Sequence, residues 1–365
     1  MTNMTRMRLA DCLLIAAVLT AVVFGSDKAG DGSATTETPP LRLGKMWNLN
    51  AAGTGDAATI QAAIDGAAAG DQIVLSSGVY TGVGNRDINF KEKPVVITRE
   101  FDTSTVVIDC QYAGRAFLLN SGETSGSKII GLRISHGRGS FDGGAIMCTA
   151  GASPEIIDCF IDSCSMIGPG FAVAFRDTCK GLVKGCTIIN CGGGVSLWHT
   201  CISRVENSLV AYNILGGIYY DGTNGSLVSC SDVFGNTGGD YPGTYSFQGQ
   251  NGNISLDPMF CDATAGDFTV NYLSPCNGTN NSCSVWIGST RVGCPVMICG
   301  DANGDSYIDI ADVVYLVVYI FGGGSAPNPL LSGDANCDST VDISDVVYLI
   351  AYIFSGGSAP CALCP

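Results

Sequence analysis

The stretch that decides the fold runs from residue 156 to residue 191, where IIDCFIDSC (residues 156–164) is followed by VKGCTIINC (residues 183–191). Three further segments align with these two without gaps: Ile129–Gly137, Val205–Asn213 and Val228–Asn236. The first and sixth residues of all five are Ile or Val, and successive starts lie 27, 27, 22 and 23 residues apart. Short β-branched runs repeated at such a period indicate a β-solenoid.

A second apolar run follows each of the first four segments, so each coil is expected to hold about three short strands. These runs are GGAIMC at 143, GFAVAF at 170, GGVSLW at 193 and GGIYYD at 216. Neighbouring coils lie one strand spacing apart, ~4.8 Å, so that like residues stack on like residues. Asn213 is then expected above Asn236, with their amides hydrogen-bonded along the stack.

Cysteine is the second feature of this region, since the chain has 18 cysteines, and such a number suggests an oxidising compartment or metal ligation. Stacking predicts three pairs: Cys159 with Cys186, Cys164 with Cys191, and Cys179 with Cys201. Stacked Cα atoms lie within disulfide range, but a buried ladder of free thiols fits equally well. Of the three, the turn pair Cys179–Cys201 is the better disulfide candidate.

The N-terminal region predicts export. Arg6 and Arg8 precede an apolar run of 12 residues that is too short to span a bilayer, which is typical of a signal peptide over residues 1–25. No transmembrane anchor is expected, and the protein is predicted to be secreted, extracellular or at the cell surface. Residues 26–46 are polar, include Pro-Pro and predict a linker.

The solenoid is expected to span residues 47–295. An Ala-rich helix over Asp56–Ala69, capped by Asp56, would cover its open end, and Gln72–Leu75 and Val79–Tyr80 are expected to be the first strands. Residues 253–294 are expected to form an irregular closing segment. Four cysteines there predict disulfides, because a loop-rich segment gains from such bonds. They are Cys261, Cys276, Cys283 and Cys294.

The repeat pattern resembles right-handed parallel β-helix proteins of the pectate-lyase-like type. The resemblance implies a protein that binds or cleaves polysaccharide; if the chain is an enzyme, a polysaccharide lyase or a glycoside hydrolase is implied. Six charged side chains lie within one and a half coils. They are either ordinary solvent-facing positions between inward apolar ones, which is the favoured interpretation, or candidates to line one face: Asp158, Asp162, Arg176, Asp177, Lys180 and Lys184. Trp198, Tyr219 and Tyr220 are expected at equivalent second-strand positions, where they either stack on sugar rings or pack against the wall. The catalytic residues are unknown.

The C-terminal region is an internal duplication. Residues 301–327 and 334–360 match at 20 of 27 positions, and each begins with the pattern D-x-N-x-D-x-x-x-D-x-x-D. Oxygen atoms at positions 1, 3, 5, 7, 9 and 12 suit Ca²⁺, which prefers six to eight oxygen ligands. Two calcium loops are therefore predicted, at 301–312 and 334–345. Their ligands are Asp301, Asn303, Asp305, the Tyr307 carbonyl, Asp309 and Asp312, and then Asp334, Asn336, Asp338, the Thr340 carbonyl, Asp342 and Asp345.

Each loop leads into an apolar helix, predicted at Val313–Phe321 and Val346–Phe354. The duplicated loop-then-helix unit resembles the dockerin type I domain over residues 299–365. This resemblance implies a small all-α domain that binds two Ca²⁺ ions and docks onto a cohesin-like protein. It places recognition at loop positions 10 and 11, which are here Ile310 and Ala311 in one copy and Ile343 and Ser344 in the other. The Ser-Thr pair that is common at these positions in cellulosome dockerins is absent.

The net charge of the chain argues against one class of partner. The formal net charge is −15, from 18 basic and 33 acidic residues, so a nucleic-acid partner is not expected. The fold class predicted is mainly β, a right-handed parallel β-helix with a small all-α calcium-binding domain. The function predicted is a secreted protein that binds or processes polysaccharide while tethered to a cohesin-type partner. A non-catalytic structural or adhesive solenoid at the cell surface is the alternative.

Overall fold

The computed structural model describes residues 44–139, 142–165, 170–198, 200–222, 225–294, 298–305 and 307–361. The signal peptide predicted for residues 1–25 lies outside the described residues, as does the linker up to residue 43. The strands are β1 (Met46–Leu49), β2 (Gln72–Leu75), β3 (Gly78–Tyr80), β4 (Val96–Arg99), β5 (Val106–Asp109), β6 (Phe117–Leu119), β7 (Lys128–Ile130), β8 (Arg133–Ser135), β9 (Ile146–Cys148), β10 (Glu155–Ile157), β11 (Phe160–Asp162), β12 (Phe171–Phe175), β13 (Leu182–Lys184), β14 (Thr187–Ile189), β15 (Gly193–Leu197), β16 (Arg204–Glu206), β17 (Leu209–Ala211), β18 (Ile218–Tyr220), β19 (Leu227–Ser229), β20 (Asp232–Phe234), β21 (Phe260–Asp262) and β22 (Asp267–Val270). The helices are α1 (Ile60–Gly66), α2 (Ile310–Gly322) and α3 (Ile343–Ser355), with a 3₁₀ turn at Leu330–Gly333.

Three parallel sheets form the walls of a solenoid, which confirms the predicted fold class. Sheet A has the order β1-β2-β4-β7-β10-β13-β16-β19, sheet B has β20-β17-β14-β11-β8-β5-β3, and sheet C has β18-β15-β12-β9-β6. The stacking follows the sequence alignment: Ile156 pairs with Ile129 and Val183 in sheet A. Ile161 pairs with Ile134 and Ile188 in sheet B. These inward residues are fully buried, and they form one continuous core along the solenoid.

The two short corners of each coil depend on one residue in the left-handed conformation. At the corner between sheets A and B these residues are Gly131, Asp158, Gly185, Asn207 and Cys230, with φ between 47° and 69°. At the corner between sheets B and C they are His136, Ser163, Asn190, Tyr212 and Gly235, with φ between 51° and 64°. Gly, Asn and Asp adopt this conformation at the lowest cost, so a single such residue turns the chain without a long loop.

At the corner between sheets B and C, from Cys164 onward, the residue after the left-handed position points inward, and its side chain accepts a hydrogen bond from the coil before it. The Cys164 amide donates to Cys191 Sγ (3.4 Å), the Cys191 amide to Asn213 Oδ1 (3.0 Å), and the Asn213 amide to Asn236 Oδ1 (3.0 Å). The side-chain Nδ2 of Asn213 also donates to Asn236 Oδ1 (2.9 Å), which is the predicted hydrogen bond between stacked side-chain amides. At the corner between sheets A and B, serine has the same role: the Cys186 amide donates to Ser208 Oγ (3.2 Å), and the Ser208 amide donates to Ser231 Oγ (3.1 Å). Cysteine, serine and asparagine are therefore equivalent acceptors in two ladders of corner side chains.

The stacked cysteines of the three predicted pairs do not form disulfides. All six members of the three predicted pairs are free and buried, so the disulfide expected at Cys179–Cys201 is wrong. Burial raises the pKa of the Cys179 thiol to about 11 and that of the Cys201 thiol to about 12. A thiol with so high a pKa is protonated at neutral pH and acts as a small hydrogen-bonding apolar group.

The N-terminal end is closed by α1, which buries Ile60, Ala63 and Ile64 in the core of the solenoid. Three details differ from the sequence prediction. The helix begins four residues later and ends three residues earlier than expected, and its cap is Thr59, which accepts from the Ala62 amide. Asp56 instead accepts from the Asn48 amide, and so it fixes the turn after β1. That strand precedes the helix and pairs with β2. It was missed because it has only four residues, MWNL, and Asn48 interrupts its apolar pattern.

Residues 254–292, which we call the covering segment, pack on the outer face of the last coils of sheet B. A second apolar cluster lies between them, and its buried members are Ile189, Leu209, Ala211, Cys276 and Ile287. Two disulfides close this segment, Cys261–Cys294 and Cys230–Cys283. Cys230, at a corner of the solenoid, was not among the cysteines expected to pair. Cys276 is free and buried, so its predicted disulfide is wrong.

Residues 298–361 contain α2 and α3, whose apolar faces pack together. Their small core includes Val313, Leu316, Val346 and Leu349. Both helices begin one turn earlier than predicted, at Ile310 and Ile343, because the preceding Asp is a helix cap. The disulfide Cys337–Cys361 links the second loop to the segment after α3. None of the helices in the described residues is long and apolar enough to cross a membrane.

Candidate functional sites

The two predicted calcium loops have nearly the same hydrogen bonds. In the first, Asp301 Oδ1 accepts from the Asp305 amide (3.1 Å), Asn303 Oδ1 from the same amide (2.8 Å), and Asp305 Oδ1 from the Tyr307 amide (2.9 Å). The second loop repeats each contact within 0.1 Å: Asp334 and Asn336 accept from the Asp338 amide, and Asp338 from the Thr340 amide. Both loops therefore fold around their own side-chain oxygens, and the sequence duplication is a structural duplication.

Positions 9 and 12 of each loop have unequal roles. Asp309 is the N-cap of α2 and accepts from the Ala311 amide (2.7 Å), and Asp342 does the same for Ser344 at α3 (2.7 Å). Both oxygens of Asp312 point back into the loop, where they accept from the Asn303 amide (3.1 Å) and the Asp309 amide (2.9 Å). Position 9 is thus the helix cap, and together with position 12 it forms a capping box. This role was not assigned from the sequence, although the spacing of the two residues is that of a capping box.

The donor set fits a hard divalent cation. Asp312, Asp334 and Asp345 are fully buried, and Asp301 is 5% exposed. Residues 299–365 contain eight Asp and no Lys, Arg or Glu, so no basic side chain of this region neutralises them. Burial raises the pKa of Asp312 and of Asp345, which reflects the loss of water around each carboxylate. A Ca²⁺ ion would suit these carboxylate oxygens, because it would offset charges that are partly removed from water.

Each helix presents one apolar stripe to solvent. On α2 the exposed residues are Ile310, Val314, Val317, Val318 and Phe321; on α3 they are Ile343, Val347, Ile350 and Phe354. We call these nine residues the helix stripes. Phe321 is 68% exposed and Phe354 65%. Of the predicted recognition residues, Ile310 and Ile343 lie in the stripes, and Ala311 and Ser344 are exposed beside them. Such large exposed apolar side chains mark interaction surfaces.

The six charged residues proposed to line one face of the solenoid do not do so. Asp158 lies at the corner between sheets A and B, and Asp162 on β11 forms a two-pronged ion pair with Arg133 (3.0 Å each). Arg176 lies beside sheet C, where it pairs with Asp142. The remaining three are Asp177, Lys180 and Lys184, and the two lysines are exposed. The alternative of ordinary, separate positions therefore applies, because in a coil of three strands neighbouring sequence positions lie on different walls.

A polar cluster with an aromatic rim lies on the outside of sheet C, and Asp142 is at its centre. One carboxylate oxygen accepts from the Phe171 amide (3.1 Å). The other accepts from Arg176 (3.0 Å) and from the Trp198 indole (2.6 Å). Asp142 is only 5% exposed, so its charge is held by these donors rather than by water. We call Asp142, Phe171, Arg176, Trp198 and Tyr219 the sheet C cluster.

Aromatic rings form the rim of the sheet C cluster. The ring centroids of Trp198 and Tyr219 lie 4.4 Å apart, those of Phe171 and Tyr219 lie 6.1 Å apart, and the Arg176 guanidinium lies 5.2 Å from the Trp198 ring. The predicted equivalence of Trp198, Tyr219 and Tyr220 was wrong: Tyr219 pairs with Ser196 and Tyr220 with Leu197. Tyr220 consequently faces the core. The cluster was missed as a unit because Asp142 lies in a loop outside the repeated segments.

His136 belongs neither to the predicted calcium loops nor to the sheet C cluster. His136 Nδ1 lies 2.9 Å from Asp109 Oδ1, at the corner between sheets B and C, and its ring lies 5.0 Å from that of Tyr112. His199 lies outside the described residues.

Comparison with known proteins agrees with the architecture. A family model for the right-handed beta helix region matches residues 116–255, and a model for the dockerin type I domain matches residues 299–354. The crystal structure of the pectate lyase Pel9A aligns with 70% of this chain and 98% of its own at 12% sequence identity, with a TM-score of 0.41. No curated protein matches the chain.

Dockerin type I domains typically bind calcium, dockerin domains bind cohesins, and proteins that carry them are typically extracellular or at the cell surface. The matched region contains both predicted loops, with their paired hydrogen bonds, and α2 with most of α3. The chain therefore contains a right-handed parallel β-helix region followed by a dockerin type I domain.

Proposed function

We propose that this chain is a secreted or cell-surface β-helix protein that is tethered to a cohesin-type partner by its C-terminal region, residues 299–365. The observation that carries the proposal is the twin loop–helix unit, with matching loop hydrogen bonds and an exposed apolar stripe on each helix. Two Ca²⁺ ions are proposed, one in each loop. Ligand oxygens come from positions 1, 3, 5, 7 and 12, and position 9 keeps its role as the helix cap.

Calcium binding is proposed to organise the docking surface. Asp312 and Asp345 belong to the first turns of α2 and α3 and also lie in the loops, so a cation held by these carboxylates fixes where each helix begins. Eight carboxylates around two small loops repel one another, and a divalent ion in each loop offsets half of that charge. Without the ions, the helices lose the anchor at their N-termini, and the helix stripes lose their common orientation.

The duplication also implies two ways of docking. The stripe on α2 and the stripe on α3 carry the same residues at the same helical positions, except that Ile350 replaces Val317 and Ala351 replaces Val318. A partner that recognises one stripe should therefore also recognise the other when the domain is rotated by about 180° relative to the partner. A variant in which one stripe is damaged keeps an intact copy, whereas damage to both stripes removes the surface.

The β-helix is proposed to bind polysaccharide at the sheet C cluster. Trp198 and Tyr219 offer aromatic faces, and Arg176 offers donors beside them. Aromatic rings next to planar charged groups match the alternating apolar faces and hydroxyl edges of sugars. Asp142 is buried and already accepts from four donors, since Ser196 Oγ also donates to it (3.5 Å). Within the described residues this cluster therefore lacks the free pair of carboxylates that glycoside hydrolysis uses. That observation favours binding over catalysis and keeps an adhesive solenoid as the second candidate.

The docking half is tested with cohesin domains from the organism that produces this chain, in calcium. We expect Val314→Asp and Val347→Asp each to leave binding within about twofold, because either stripe suffices, and the double variant to abolish it. These side chains are 55% and 60% exposed, so the substitutions should not unfold the helices. Val83→Asp, at an 83% exposed position of the β-helix, is the matched control. Unchanged binding by the double variant would refute the proposed surface.

The glycan half is tested by affinity electrophoresis of the full chain in gels that contain plant or bacterial polysaccharides. Retardation by one polymer that is lost in Trp198→Ala and Tyr219→Ala would support the sheet C cluster. Tyr272→Ala, at a 46% exposed position outside the cluster, is the control. If no polymer retards the wild-type chain, the adhesive or structural function is favoured.

A further inference from the structure

A separate pocket lies on another side of the solenoid, at the corner between sheets A and B. Its volume is about 180 Å³, and the residues that line it come from three successive coils and from the covering segment. Among them are Arg99, Gly131, Arg133, Asp158, Ser289 and Thr290. The pocket is smaller than the ~300–1,000 Å³ typical of drug-sized ligands, so it suits a single small molecule or one sugar-sized unit.

Glycine at position 131 makes room for a guanidinium group. A Cβ atom there would lie 2.9 Å from Arg99 Nε, and the backbone has φ +69°, which a side chain rarely adopts. Arg99 therefore lies across the corner itself. Among the described residues its side chain is paired with Asp102 alone, at 3.5 Å, and that carboxylate is fully exposed to water. Most of the donors of Arg99 are consequently free to bind a ligand.

The other charges around the pocket are partly committed. Arg133 forms its ion pair with Asp162 and lies 5.2 Å from the Phe160 ring. Arg291, next to the lining residues Ser289 and Thr290, donates to the Gly288 and Thr290 carbonyls (3.0 Å each). Burial lowers the pKa of Arg291, and the charge of Asp158 opposes that shift. Two guanidinium groups, those of Arg99 and Arg291, thus face one carboxylate, that of Asp158.

The carboxylate of Asp158 is the hydrogen-bond acceptor of the pocket. It occupies the left-handed position of its coil, with φ 50°, and its Oδ1 lies over Gly185, where a Cβ atom would be only 2.3 Å away. Burial raises the pKa of Asp158, while Arg291 and Arg99 lower it. The carboxyl is therefore held at the pocket by the corner geometry.

Two hydroxyl groups complete the lining. Ser289 Oγ and Thr290 Oγ1 are buried, and neither has a hydrogen-bond partner within the described part of the chain. A buried hydroxyl without a partner costs about 1–3 kcal/mol, so a ligand that supplies partners is favoured. A carboxylate would be bound by the guanidinium donors, and ligand hydroxyls would be bound by Asp158, Ser289 and Thr290.

We propose that this pocket binds a small hydroxy acid, with its carboxylate on Arg99 and its hydroxyl groups on Asp158. The ligand is either a free hydroxy acid or an acidic sugar unit at the end of a polymer, since both carry the same groups. The site is independent of the sheet C cluster, because it lies on a different wall.

The test uses the full chain and calorimetric titration with four probes: D-glycerate, D-glucuronate, an oligosaccharide that ends in glucuronate, and D-glucose as the neutral match. We expect at least one acid to bind and glucose not to bind. Arg99→Gln should weaken that binding about tenfold or more, because a hydrogen bond to a charged group is lost. Asp158→Asn keeps a residue that tolerates the left-handed backbone and should weaken it as well. Arg138→Gln, an exposed arginine away from the pocket, should change nothing.

The pattern of binding identifies the source of the ligand. Binding of glycerate indicates a free acid, whereas binding confined to glucuronate or the oligosaccharide indicates a sugar unit. The proposal is overturned if no acid binds at concentrations on the order of 10 mM. It is also overturned if glucose binds as well as glucuronate, or if Arg99→Gln and Arg138→Gln have the same effect.

Discussion

Asp232 should make the solenoid less stable as the pH rises, and replacing it with Asn should remove the effect. This residue begins β20, and its side chain points outward under the covering segment, where it is fully buried. Oδ1 accepts from the Leu256 amide (3.1 Å), and Cys276 Sγ lies 3.6 Å from Oδ2. Burial is the main cause that raises the pKa of Asp232 from 3.8 to about 7, and the nearby charges of Asp240 and Asp257 add to it.

Proton linkage gives the direction in which the free energy of unfolding changes with pH. Below pH 3.8 the carboxyl is protonated in both the folded and the unfolded chain, so it has no effect on stability. As the pH rises from about 4 to about 7, the unfolded chain releases this proton and the folded chain keeps it, so the free energy of unfolding falls. The difference between about 7 and 3.8, at 1.36 kcal/mol per pH unit, is about 4 kcal/mol at pH 8. Asn keeps the acceptor for Leu256 and carries no charge, so Asp232→Asn should recover most of that energy.

Thermal unfolding from pH 4 to pH 8 measures this. We expect the variant to melt several degrees above the wild type at pH 8, since 1 kcal/mol moves the Tm of a domain of this size by about 2 °C, and to melt with it at pH 4. Asp102→Asn, at a fully exposed carboxylate, should follow the wild type at every pH. A pH-independent difference between Asp232→Asn and the wild type would refute the reasoning, because it would show a packing effect rather than a titration.

Three further outcomes are expected. In hydrogen-exchange mass spectrometry of the full chain, EDTA should expose the amides of α2 and α3 while β12 and β15 remain protected, because the proposed calcium ligands lie in the C-terminal loops; equal exposure of both regions, or no change in the helices, would contradict this. In calorimetric titration, Asp312→Ala and Asp345→Ala should weaken Ca²⁺ binding more than Asp309→Ala and Asp342→Ala, since position 12 is buried with both oxygens in the loop and position 9 caps the helix; equal losses would count against the assignment. In urea unfolding, Cys191→Ala should cost about 1–3 kcal/mol, because the buried Cys164 amide loses its acceptor, whereas Cys191→Ser should cost less, as serine has this role at Ser208; identical costs would show that the thiol only fills space.

The sequence was sufficient to predict the walls of the solenoid, because a repeated inward residue must stack on its equivalent. Ile129, Ile156 and Val183 are in register as the alignment required. The C-terminal loops were equally predictable, since ligand spacing within a loop is a local property. Single-residue corners were less visible, because Asp158, Cys230 and Tyr212 do not signal a left-handed backbone as strongly as glycine does.

What the sequence could not predict depends on contacts between distant segments. The sheet C cluster joins Asp142 to Trp198, which lies 56 positions away. The pocket at the corner of sheets A and B brings Arg99 together with Ser289. Cysteine pairing failed for the same reason: Cys276 lies near Asp232 rather than near another cysteine, and the stacked thiols serve as hydrogen-bonding groups within the ladder.

The central claim is that a β-helix is tethered through a calcium-dependent domain, and a binding measurement tests it most directly. The full chain is passed over immobilised cohesin domains of the producing organism, first in calcium and then after exchange into EDTA. We expect binding to at least one cohesin in calcium, its loss in EDTA and its return when calcium is restored. Binding that is unchanged by EDTA, or no binding to any cohesin by a calcium-loaded chain, would contradict the account.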